Sequence, residues 1–250
     1  MDATDIEPEL GHELEQNFTW ASGLYHQSFN SLEGETELEY GLSDQIQLAG
    51  SAEYEWSRAR PHAPGGPAES DKEFEGVAGE AIWQAMNVYF DPMGLGFLVS
   101  PFLGRDERGV EAKALLQKNF INDRLRAVIN AGLSFGQARD GHDWSDESTI
   151  TLDAGLAYNI TWEWSLAAEF NYERGFDGAM IDGRAIPQGD TFYFGPTLQY
   201  VAHPWTASLG VQEQLPWAHD LTHTPETLHE GLNTDSERFR VMLRVTRDFF

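Results

Sequence analysis

Apolar and polar residues alternate with period two along most of the chain, the spacing of a β-strand with one apolar face. In the stretch "TITLDAGLAYNITWEWSLAAEFNYER", Ile150, Leu152, Ala154, Leu156, Tyr158 and Ile160 alternate with Thr149, Thr151, Asp153, Gly155, Ala157 and Asn159. After Thr161-Trp162-Glu163 the alternation resumes: Trp164, Leu166, Ala168, Phe170 and Tyr172 interleave with Ser165, Ala167, Glu169, Asn171 and Glu173. These residues predict a hairpin with one greasy and one polar face. The same spacing recurs over 13–20, 37–42, 46–56, 125–135, 191–200, 205–212 and 239–246. Segments near 74–90, 95–104 and 110–121 are less regular; "AIWQAMNVYF" and "LGFLVSPFL" are apolar on both faces, which leaves their registers open. Together these segments predict about twelve strands.

The connections carry more information than the count. Five are tight: "SDQ" after Leu42, "DPMG" after Phe90, "NDR" after Ile121, "TWE" after Ile160 and "HP" after Ala202. The others, roughly 21–35, 61–73, 104–109, 139–148, 174–190 and 218–235, are long and polar. Short and long alternate strictly, as in an outer-membrane up-and-down barrel. Turn length also agrees with face parity. Three-residue turns keep the apolar set on even numbers, whereas the turns near Asn122 and His203 switch it to odd numbers. A one-residue slip would turn every apolar side chain to the wrong face, so the agreement is a genuine test. The prediction is an all-β transmembrane antiparallel barrel, a single domain over 1–250, with 1–10 a periplasmic N-terminal segment and both termini in the periplasm.

A soluble sandwich or lipocalin-like barrel alternates too, with its apolar side chains inward. Three features favour the membrane reading. Trp20, Tyr40, Trp56, Tyr158, Trp164, Tyr172, Tyr200 and Trp205 gather at strand ends, as an interfacial girdle requires. The polar face is rich in charges and small residues. The chain closes on "RFRVMLRVTRDFF", an alternating strand with an aromatic end.

Composition narrows the choices. The formal net charge is -25 and the pI about 4.4, which counts against binding along a nucleic-acid backbone. The absence of cysteine excludes disulfides, thiolate metal sites and a cysteine nucleophile. No apolar run approaches the roughly 18 residues of a membrane helix. Met1 is followed by "DATDIEPEL" with no signal-peptide pattern, so the expectation is a mature chain of the bacterial outer membrane.

The ending resembles the C-terminal signal of outer-membrane proteins that the barrel assembly machinery reads, although Arg247 and Asp248 stand where apolar residues are usual and the alternation keys to Phe249. The stretches "ETELEYGLSDQIQLAG" (35–50) and "VEAKALLQKNFINDRLRAVINAGLSFG" (110–136) resemble a family of uncharacterised proteobacterial outer-membrane β-barrels, near the transporter or phenol-degradation-pathway-like barrels. The resemblance covers less than a fifth of the chain. It implies fold and location, with outer-membrane lipid and lipopolysaccharide as surroundings, and no catalytic residues.

With apolar residues on lipid, Glu13, Glu15, Glu37, Glu39, Glu53, Glu55, Asp153, Glu169 and Glu173 face the lumen, joined by Glu111 and the cations Lys113, Arg126, Arg240 and Arg244. A closed barrel sets the last strand beside the first, so Arg240 and Arg244 are expected to lie against the Glu-rich wall. The charges either pack as an internal network that fills the barrel or line a channel that prefers cations. No cofactor is expected. The candidate exception is calcium at the external loop 139–148, through Asp140, Asp143, Asp146 and Glu147, where the spacing fits a solvated acidic loop better than an EF-hand. His219, His223 and His229 offer imidazoles for a transition metal but match no HExxH spacing. Ser22, Ser28 and Ser31 near His26 lack a nucleophile motif. The functional expectation is a passive pore for small cationic or neutral polar solutes. The alternatives are a lipid-directed barrel enzyme and a closed barrel whose acidic loops bind ions or a partner.

Overall fold

The computed structural model describes all residues except 1–3, 25–26, 62–68, 142, 184, 220–227, 230–231, 235 and 250. Twelve strands close an antiparallel barrel. They are β1 (His12–Ser22), β2 (Gln27–Ser43), β3 (Ile46–Pro61), β4 (Glu69–Met86), β5 (Gly94–Gly104), β6 (Glu107–Phe120), β7 (Leu125–Asp140), β8 (Asp143–Asn159), β9 (Trp164–Asp177), β10 (Ile186–Ala202), β11 (Trp205–Gln214) and β14 (Phe239–Phe249). Sequence neighbours pair throughout, and β14 closes on β1. A ribbon of β12 (Leu228–His229) and β13 (Leu232–Asn233) lies in the last connection. Among the described residues no helix is long and apolar enough to cross a membrane; the strands supply the crossing, since closure satisfies the backbone without water.

The observed register confirms the predicted faces. Leu14, Leu38, Leu48, Leu152, Leu166, Leu198, Leu209 and Leu243 are all exposed on the outer wall. The parity switches fall where turn length placed them, between β6 and β7 and between β10 and β11. At the short-turn end Trp164 packs on Tyr200 with ring centroids 4.6 Å apart, and His12 on Tyr40 at 5.0 Å. Arg247 sets its guanidinium over the rings of Trp205 and Phe249, 5.1 and 4.8 Å from their centroids. Gln16 is the one polar outlier of the β1 apolar set, and its amide is satisfied locally. It accepts from Thr36 Oγ1 at 2.7 Å and donates to Tyr54 Oη at 3.0 Å. Tyr54 lies flat over Gly34, where a Cβ would meet its ring at 2.2 Å. The glycine is therefore required for this lipid-facing cap.

The outer connections are shorter than the sequence suggested. β5 and β6 are separated by Arg105 and Asp106 alone, and β7 and β8 by residues 141 and 142. The expected loop 139–148 is mostly β8. Charged residues fall on both faces there, because strands that project beyond the lipid need no apolar face, and a polar ladder in water reads as loop by composition.

The largest departure is at the N-terminus. Residues 1–10 were expected as a periplasmic segment, yet Thr4–Glu7 fold into the short-turn half of the lumen. Thr4 is fully buried. Its N–H and Oγ1 donate to Gln117 Oε1 at 3.0 and 3.2 Å, and its carbonyl accepts from Gln84 Nε2 at 2.6 Å. The Glu7 N–H donates to Gln47 Oε1 at 2.8 Å. Ile6 packs on Ile82, Leu98 and Leu115, which point inward. Apolar residues on both faces of β4–β6 therefore have a cause: one face meets lipid, the other this segment.

Candidate functional site

The lumen divides into a packed side and an open side. On the packed side, β3–β6 hold the N-terminal segment. On the open side, β8–β11 present small inward residues: Gly155, Ala157, Ser165, Ala167, Thr197, Ser208 and Gly210. Together with Arg126, Glu169 and Arg244 they line a cavity of about 380 Å³ that rises from the short-turn end to Asn17, Thr19 and Glu35. Those three residues also bound a second cavity of about 320 Å³, walled by Glu33, Glu53, Glu55 and Glu75. Glu53 and Glu75 in turn border a third, about 350 Å³, reaching Glu73, Asp106, Glu107, Arg139 and Glu147 at the long-loop end. The three cavities stand in series and share walls.

Register sets like charges opposite one another on the β1–β4 wall. Glu13 faces Glu39 and Glu15 faces Glu37 across β1 and β2. Glu33 faces Glu55 and Glu35 faces Glu53 across β2 and β3, and Glu55 faces Glu73 on β4. Directly opposed like charges destabilise a sheet, so the wall is relieved only in part. At the β1–β14 seam Arg244 pairs with Glu15 at 2.5 Å, and Asn17 Nδ2 donates to Glu15 at 2.7 Å and to Glu35 at 3.0 Å. Gln47 donates to Glu39 at 2.5 Å. Lys113 pairs with Glu111 at 3.0 Å, and Asn171 donates to Asp153 at 2.7 Å. Arg240 bonds Glu237 and lies 3.9 Å from the Tyr193 ring centroid; Tyr193 is buried and donates to the Glu237 carbonyl at 2.7 Å. Among the described residues Glu33, Glu53 and Glu55 have no ion-pair partner. These acids border the middle cavity.

Of the residues expected in the lumen, the structure brings Glu13, Glu15, Glu37, Glu39, Glu53 and Glu55 together on one wall, with Arg244 against it as anticipated. Arg126 and Glu169 stand across the lower cavity, and Asp153 and Glu173 lie on the inner faces of β8 and β9. Arg240 is inward but turns to Glu237 and Tyr193. Sequence reasoning missed Glu33, Glu35, Glu75 and Glu107. Glu33 and Glu35 share the odd parity of Glu37 and Glu39, a signal lost by ending the strand at residue 37.

Among the described residues, three of the four residues proposed for calcium stand on one strand. Asp143, Asp146 and Glu147 sit on β8, where Asp146 accepts from Gln137 Nε2 at 2.8 Å and takes the face opposite to Asp143 and Glu147. The side chain of Asp140 lies outside the described residues. Among the described residues the carboxylates that do converge are Glu7, Glu13 and Asp248, and Glu13, Glu15 and Glu39, at the short-turn mouth. His219 binds Asp190, His223 is outside the described residues, and so is the side chain of His229. Ser31 is buried, Ser28 faces outward beside Arg58, and His26 lies outside the described residues.

Residues 1–247 match the model described as a family of unknown function, DUF6662. The chain belongs to this family. The comparison with curated proteins gave no match. Among solved structures, the DUF6662 chain is similar to the COG4313 outer membrane channel from Pseudomonas putida F1, with TM-score 0.70, 15% identity and 100% of both chains covered. It is also similar to the KdgM porin, with TM-score 0.57, 10% identity and 95% and 99% of the two chains covered. The β domain of the Bordetella autotransporter BrkA aligns with TM-score 0.58 and 9% identity over 96% of this chain and 100% of that one. The fold is that of an outer-membrane barrel.

Proposed function

We propose that this DUF6662 barrel is a passive outer-membrane pore for small cationic or neutral polar solutes. The observation that carries the reading is the series of three cavities that share lining residues along the lumen, with Glu33, Glu53 and Glu55 bordering the middle one. A barrel filled for stability alone would not oppose glutamates in register across four strands, because each opposed pair weakens the sheet. Carboxylates along a low-dielectric wall raise the local concentration of cations and repel anions. The similarity to the COG4313 channel and the KdgM porin supports the reading. Gly155, Ala157, Ser165, Thr197, Gln199 and Ser208 on the open side suit a hydrated solute.

Liposome swelling tests this. Proteoliposomes are expected to swell in small neutral sugars and amino-sugars faster than in uronic acids of the same size. Equal rates for the amino-sugar and the uronic acid would overturn the charge preference, and no swelling with correctly folded protein would overturn the pore.

A further inference from the structure

At the long-loop end of β2–β4 the sheet sorts its charges by face. Inward on these strands stand Glu33, Glu55, Asp71 and Glu73. Outward stand Ser28, Asn30, Arg58, Arg60, Ser70 and Lys72, and no described outward residue of this patch is a carboxylate. In register Arg58 lies between Asn30 and Ser70, Arg60 opposite Ser28, and Lys72 opposite Trp56. Ser28, Asn30, Arg58 and Arg60 line a cavity of about 270 Å³ on the outer wall. Arg58, Arg60 and Lys72 are exposed. In a chain with 16 basic and 41 acidic residues, three cations turned away from this acidic inner wall need a reason outside the barrel.

Position supplies one. The lipid-facing belt on these strands runs through Trp20, Leu32 and Trp56, paired side by side. Trp56 anchors to Ser70 Oγ at 3.2 Å. Arg58 and Arg60 follow Trp56 by two and four residues. At about 3.3 Å per residue on a tilted strand, they stand roughly 5 and 10 Å beyond the indole, the level at which a lipid carries its charged headgroup. Guanidinium groups there match phosphate bidentately, with hydroxyl and amide neighbours to take sugar oxygens.

We infer that Arg58, Arg60 and Lys72, with Asn30 and Ser28, form a binding site on the outer wall for the phosphorylated glycolipid of the outer leaflet, lipopolysaccharide. The site is independent of whether the lumen conducts. The test uses full-length protein in detergent with purified bisphosphorylated lipid A, read by native mass spectrometry. Wild type is expected to retain lipid A, and the variant Arg58→Gln/Arg60→Gln/Lys72→Gln to bind it about tenfold or more weakly, since each cation near an anionic lipid surface contributes appreciably. Retention of the unheated gel mobility of a folded barrel shows that the variant is intact. A second arm needs no variant: wild type is expected to prefer bisphosphorylated over dephosphorylated lipid A by a similar factor. Equal binding of the two lipids, equal binding by the triple variant, or equal binding of phosphatidylglycerol would each overturn the site.

Discussion

Replacing Gly94 by valine probes the N-terminal segment that narrows the lumen. A Cβ at this inward position would stand 2.1 Å from Thr4 Oγ1 and 3.0 Å from Thr4 Cβ, so Thr4 must leave. Thr4 makes three hydrogen bonds, two to Gln117 and one from Gln84. With the Glu7–Gln47 bond, about 1 kcal/mol each gives about 4 kcal/mol for the segment. Burial of Ile6 adds about 2 kcal/mol. Ordering four residues opposes this with about 6 kcal/mol. The docked segment is thus close to balance with a released one. Loss of the Thr4 bonds, about 3 kcal/mol, shifts that balance by about a hundredfold. Single-channel recording in planar bilayers reads the outcome: Gly94→Val is expected to conduct more than wild type and to lose brief closures. The thermal transition should stay within a few degrees, because the backbone ladder of the wall is untouched. A Gly94→Val channel with wild-type conductance would refute the idea that Thr4–Glu7 restricts the path.

Two further outcomes follow from neighbouring residues. Burial first, and the nearby Asp248 second, raise the Glu7 carboxyl above its ordinary value of 4.5, with His12 opposing. The docked segment therefore favours the protonated acid; docking is strongest below the ordinary value and weakens as pH rises through the raised one. Conductance should climb over that window in wild type and lose this dependence in Glu7→Gln, as pH-stepped bilayer recordings would reveal. At the seam, Arg244→Met leaves Glu15, whose side chain is 3% exposed, without its ion pair. A loss of about 3 kcal/mol is expected, seen as earlier conversion to the heat-denatured gel form and partly restored in Arg244→Met/Glu15→Gln.

Most of the wall was legible because period two and turn length are coupled. Leu42 to Ile46 and Ile160 to Trp164 keep parity, Ala202 to Trp205 switches it, and no alternative register satisfies both. What stayed hidden has physical causes. Ile82, Leu98 and Leu115 looked ambiguous because their partner, Ile6, lies far away in sequence and in a segment of polar composition. Asp143 and Glu147 looked like loop because strands above the lipid carry charge on both faces. The lumenal role of Glu13, Glu15, Glu37 and Glu39 followed from parity alone. The serial cavities could not, since they depend on Gly155, Ala157, Thr197 and Ser208 leaving space on strands distant in sequence.

The central claim is that the acidic wall borders a conducting path. The reversal potential of single channels under a potassium chloride gradient tests it most directly. Wild type should show a cation-preferring reversal potential that moves toward zero in Glu35→Gln/Glu53→Gln, while conductance persists. A cation preference unchanged by that double substitution, or an anion preference in wild type, would contradict the account.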